Sequence, residues 1–158
     1  MDKEYLLSRV NAHGVIAVSG GMWLLMFFES YPLWVTFFFS VAHTSIPELE
    51  KFFFGYQWYG WVASIPALLL ILTALRRLPE AGALVRRGWA AGRYLLTMGI
   101  ILHLAGAVAG LLGADRWNPW PERGMLMVLI LHLLLLVYLW SSSYSRAVFR
   151  EFPEASSK

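Results

Sequence analysis

The chain has 158 residues, of which 58% are hydrophobic, 16% aromatic and only 15% charged, with a formal net charge of +3. A soluble domain carries about a quarter charged residues, so this is read as an integral membrane protein, and a water-soluble enzyme is excluded. The lack of cysteine removes disulfides, thiol nucleophiles, cysteine-type zinc sites and iron–sulfur clusters together.

A helix needs about 20 mostly apolar residues to cross a hydrocarbon core about 30 Å thick. Four segments meet that need: residues 15–42, 58–75, 94–112 and 125–144. The first is interrupted by Glu29-Ser30-Tyr31-Pro32. It is too short for two crossings, so one tilted or kinked helix is expected, with Pro32 disturbing the turn before it. Ser40-Val41-Ala42 resembles a signal-peptide cleavage site, but the apolar stretch is too long for one and contains Glu29. Between the first two segments, Pro47, Glu48, Glu50, Lys51 and Phe52-Phe53-Phe54 read as a short helix on the membrane surface. Arg76, Arg77, Arg86 and Arg87 line the next loop, where they can meet anionic headgroups. After the fourth segment the helix is expected to continue to Phe152, with Arg146 and Arg150 four apart, until Pro153 stops it. Residues 145–158 form a cytoplasmic tail. The expected fold is all-α: one membrane domain over residues 1–158, with four transmembrane helices in an antiparallel bundle.

Ten of the thirteen basic residues fall on the side that holds both termini and the middle loop. The positive-inside rule therefore puts both termini in the cytoplasm. Trp58, Trp61, Trp117 and Trp120 mark the outer interface, and Trp89, Trp140 and Tyr144 the inner one. Arg93 is expected to snorkel to headgroups at the inner edge.

Polar groups inside a bilayer are costly and mark function by default. Three stand out: Glu29, His103 and His132. At about 1.5 Å per residue, His103 and His132 lie at equal depth on consecutive helices. Gly92, Gly99, Gly106 and Gly113 recur every seven residues, with Leu96, His103 and Gly110 between them on the same face. Such a stripe lets a second backbone or a flat cofactor approach. Helix two carries a weaker small-residue stripe in Gly60, Ser64, Ala67 and Ala74. Two readings of the histidine pair stay open. In one, His103 and His132 are axial ligands of a b-type haem, or serve a quinone site. In the other, they hydrogen-bond to each other, to a backbone carbonyl or to Glu29, and hold the bundle together. Glu29 is either a proton carrier in a small transporter or a carboxyl bonded to a neighbouring helix. His13 and His43 sit at the membrane edges, and no zinc motif surrounds them, so no metal is expected. Ser141-Ser142-Ser143 reads as a helix end bonding back to its own backbone, not a nucleophile.

Four short motifs point to a family. They are Asn11-Ala12-His13-Gly14 following Tyr5, Tyr31-Pro32-Leu33-Trp34, Ile65-Pro66-Ala67-Leu68-Leu69, and Ala147-Val148-Phe149-Arg150-Glu151-Phe152-Pro153-Glu154. Together they resemble the YfeZ-like family of small proteobacterial inner-membrane proteins of unknown function. The resemblance implies four helices and a bacterial inner membrane, and it carries no activity, cofactor or catalytic residue.

The leading reading is a non-enzymatic accessory or structural subunit of an inner-membrane complex, without a cofactor. Its partners are lipid and other integral membrane proteins, not nucleic acid. The haem or quinone anchor built on His103 and His132 is the alternative, and a proton-coupled transporter using Glu29 the third.

Overall fold

A computed structural model describes residues 10–11, 13–42, 57–112 and 119–153. The expected surface helix within residues 45–56, His43, Gly113 and the last five residues lie outside them. Among the described residues the structure is all-helical, with seven helices. An isolated bridge pairs Val10 with Ile16. Between them Asn11 organises a tight turn: its side chain accepts from the backbone N–H of His13 and Val15, and Gly14 takes the left-handed conformation at φ 76°. His13 is exposed there.

The first apolar segment is two helices, α1 (Gly20–Glu29) and α2 (Tyr31–Ala42). Ser19 caps α1 by accepting from Met22 N–H. The chain breaks at Ser30. Its hydroxyl bonds back to the carbonyls of Met26 and Phe27 and accepts from the Trp34 indole. Two residues on, Pro32 has no N–H to give, and Leu33 N–H turns to the Ser30 carbonyl. The expected kink is thus a local break in the helical ladder at Ser30.

Helix α3 (Gln57–Leu75) carries Pro66 inside it. It packs antiparallel on α5 (Gly92–Leu112). The fit depends on missing side chains: a Cβ on Gly99 would lie 3.0 Å from the Ala63 carbonyl oxygen. One on Gly106 would meet Tyr59, and one on Gly92 would collide with Phe149 and Leu70. Gly60 similarly faces Pro32. Gly110 lies on α5 as well.

Helix α6 (Pro119–Ser141) lies on the other side of α5. Arg93 reaches the carbonyls of Leu139 and Trp140 while His103 meets His132, so these two helices also run antiparallel. Helix α6 does not continue to Phe152. It stops at Ser141 and the chain turns by 67° into α7 (Ser143–Arg150). Ser141 bonds back to the Val137 carbonyl, and Ser142 caps α7 through Ser145 N–H.

Short helix α4 (Ala83–Ala90) buries Trp89 against Phe149, and Trp89 donates to the Val148 carbonyl. Beside it Arg77 is 6% exposed. It donates to the carbonyls of Ile16 and Glu151 and lies over the Trp89 ring. Burial pulls its pKa below the usual arginine value, against an opposing pull from Glu151 and Tyr144. Ile16 N–H bonds the Glu151 carboxylate, and Tyr144 hydroxyl donates to the Ala17 carbonyl. Both ends of the described chain therefore close on one end of the bundle. The core runs from there through Met22, Leu25, Met26, Leu70, Leu96 and Ile100.

Large apolar side chains cover the outside, including Leu24, Phe38, Ile101 and Leu134. Among the described residues, one helical stretch is long and apolar enough to cross a membrane, Gly92–Ala109. A second qualifies if α6 and α7 count as one bent span. The other expected crossings fall short for local reasons. The first is divided at Ser30, and the apolar part of α3, Tyr59–Leu75, is too short.

Candidate functional site

Glu29, His103 and His132 come from three different helices and meet in the bundle. Glu29 and His132 are fully buried, and His103 is 7% exposed. Glu29 is the last residue of α1. Because Leu33 N–H bonds to Ser30, the Glu29 carbonyl drops out of the ladder, as helix-end carbonyls do. His103 Nε2–H donates to it at 3.0 Å. The helix break thus creates the acceptor that fixes His103, and His103 satisfies the carbonyl that the break exposes.

His132 is fixed differently. Its Nδ1–H donates to the Val128 carbonyl, one turn earlier on α6, at 2.7 Å. That leaves Nε2 as the nitrogen facing Glu29, 3.6 Å from Oε1. His103 Nε2 lies 4.0 Å from Oε2. The imidazole centroids are 4.9 Å apart at 45°. Phe28 packs on His132, and Tyr31 stacks on His103 at an interplanar angle of 23°. Gly99 lies beside Oε2, where a Cβ would stand at an ordinary contact distance of 3.8 Å.

The polar accounting is incomplete. Both carboxylate oxygens of Glu29 and Nε2 of His132 are buried without a hydrogen-bond partner. Orphaned buried polar atoms are rare, and each calls for an explanation. At 3.6 Å, Glu29 Oε1 and His132 Nε2 stand just beyond hydrogen-bond distance. One donor atom from each of the three residues lies within 4.8 Å of the others, a grouping able to hold a metal ion. The sequence singled out all three residues and expected no metal. Phe28 and Tyr31 went unnoticed as ring supports, although both flank the break that positions Glu29. Arg93 does not reach this site; it lies over the Trp140 ring.

The family model described as "Protein of unknown function (DUF2919)" matches residues 5–151, and the chain belongs to that family. No curated protein matches it, and no solved structure does.

Proposed function

We propose that the chain is a four-crossing protein of the bacterial inner membrane, with both termini cytoplasmic, serving as a non-enzymatic accessory subunit of a larger membrane complex. The crossings would be α1 with α2, then α3, α5 and α6. The 19 residues of α3 give about 28 Å at 1.5 Å per residue, close enough to the hydrocarbon thickness for a thinned bilayer to accommodate. The resemblance to the YfeZ-like proteobacterial proteins supports the location, and the excess of arginine beside the middle loop supports the orientation.

The observation that carries the subunit reading is the closure of the Glu29–His103–His132 cluster. Exposures of 0%, 7% and 0% give a substrate no approach in this conformation. A closed centre suits a group that stays in place and ties helices together. The haem alternative draws less support from the same geometry: rings 4.9 Å apart, both facing one carboxylate, do not stand on opposite faces of a macrocycle. The unpartnered Glu29 oxygens do favour a second reading, a proton-coupled carrier. Unchanged proton-linked flux in Glu29→Gln would remove it.

Purification of the tagged full chain in mild detergent tests the leading reading. Other membrane proteins should co-purify in fixed stoichiometry, with a native mass well above that of one chain. A lone, monodisperse monomer overturns it.

A further inference from the structure

We propose that Glu29, His103 and His132 bind a divalent first-row transition-metal cation inside the bundle. The inference depends on this cluster being a resident centre and not on membership of a complex. Its starting point is the electrostatic deficit just described. Three buried lone-pair atoms converge, Glu29 Oε1, Glu29 Oε2 and His132 Nε2, and no donor hydrogen reaches any of them. Buried charge without a partner is expensive in a bundle interior. A cation supplies what all three lack at once.

The donor types name the class. Two imidazoles and one carboxylate form a recurring set for zinc and for non-haem iron. There is no cysteine to select a soft ion. Calcium and magnesium want all-oxygen shells, which this site does not offer. The geometry is near the required size. With metal–ligand bonds of about 2.0–2.2 Å, two ligands on a tetrahedral ion stand about 3.4 Å apart. The Glu29 pairs stand at 3.6 and 4.0 Å, so small side-chain rotations close the set.

The outer shell of one histidine already fits a metal site. Ligating histidines donate their other N–H to a carbonyl or carboxylate. His132 does this through Nδ1–H to Val128, which leaves its Nε2 lone pair free for a metal. His103 must change. It now spends Nε2–H on the Glu29 carbonyl. To ligate through Nε2 it shifts that proton to Nδ1 and releases the carbonyl. Glu29 binds as the carboxylate, and any proton it carried leaves to solvent, as metal binding generally requires. No electron moves in this step. Three protein donors leave at least one coordination position for a water or for an atom from a partner. Phe28 and Tyr31 form an apolar wall around the two rings, and such a wall strengthens the attraction of the ligands for the ion.

The test uses the full chain with a tag free of histidine, purified in mild detergent without chelator. Elemental analysis should find about one zinc or iron per chain, in keeping with a three-ligand centre. Titration with Co²⁺ should give visible d–d absorption that saturates at one equivalent. Loss of an outer-shell partner alone costs about 10–100-fold in metal affinity, so Glu29→Gln and His132→Gln should each weaken Co²⁺ binding at least that much. Gly20→Ala, at the far end of α1, should bind like the parent. Circular dichroism confirms that each variant is folded. Folded parent chain that holds no metal and gives no cobalt band overturns the proposal, and points to a shared proton instead. Metal retained by the Glu29→Gln, His132→Gln double variant overturns it too. A monomer with bound metal refutes the subunit reading alone, and a metal-free complex refutes the metal alone.

Discussion

Gly99 packs tightly on α3 between two neighbours. On one side is the Ala63 carbonyl, which is backbone and cannot swing away. On the other is the Glu29 carboxylate, which a Cβ would meet only at ordinary contact distance. Gly99→Ala must push the helices apart, and overpacking of this kind costs about 1–3 kcal/mol. Thermal unfolding in detergent should show a lower midpoint for Gly99→Ala. Gly20→Ala, where a Cβ meets nothing, should match or slightly exceed the parent, since alanine outranks glycine in a helix by about 1 kcal/mol. Glu29→Gln has the opposite sign in metal-free protein. Once a small side-chain rotation closes the 3.6 Å gap, its amide N–H satisfies His132 Nε2, so the midpoint should rise, on the scale of a hydrogen bond worth about 1 kcal/mol. A falling midpoint would show that the carboxylate is not short of a donor. Much of this site was legible beforehand: a lone acid and two histidines in apolar sequence stand out, and equal depth put the histidines level. What sequence could not show is that the break at Ser30 frees the Glu29 carbonyl for His103. That depends on which hydroxyl bonds back to which carbonyl.

At the scale of the helix, the two breaks have related causes. Ser30 and Ser142 both turn a side chain toward backbone at the point where a ladder ends. Pro32 announced the first break in the sequence. The second was announced only by the serine run Ser141-Ser142-Ser143, read as a helix end, while the absence of proline in residues 141–150 favoured a helix continuing to Phe152. The 67° turn is fixed from outside, by Trp89 donating to Val148 and by Arg77 and Ile16 holding Glu151. Those partners are about 60 to 135 residues away in sequence, beyond the reach of any periodicity. Helix α7 therefore depends on its cap more than a continuous helix would. Ser142→Ala removes the acceptor for Ser145 N–H and should cost about 0.5–2 kcal/mol. Limited trypsin digestion should cut faster at Arg146 and Arg150, both exposed, while the bundle core stays intact.

Across the whole molecule, two of the short motifs singled out in the sequence come together. The turn built by Asn11 and Gly14 delivers Ile16 to the Glu151 carboxylate, and Arg77 bridges the same two segments. Separated by most of the chain, these motifs form one clasp. Arg77→Met would orphan two backbone carbonyls and lower stability by several kcal/mol, since hydrogen bonds from a charged group contribute about 1.5–3 kcal/mol each. The clasp also bears on the proposed topology. Composition alone qualifies only one or two of the described helices. If the bundle spans a membrane as proposed, ends that meet at one end require an even number of crossings, and four would agree with the antiparallel packing of α3, α5 and α6. Because the chain has no cysteine, single-cysteine labelling can decide the matter on a clean background. Leu84→Cys, on the exposed face of α4, and Ser156→Cys should resist a membrane-impermeant maleimide in intact spheroplasts and react after lysis. Ser45→Cys, between the first two crossings, should react in both. If Leu84→Cys and Ser156→Cys differ from each other in accessibility, the clasp and the four-crossing topology fall together.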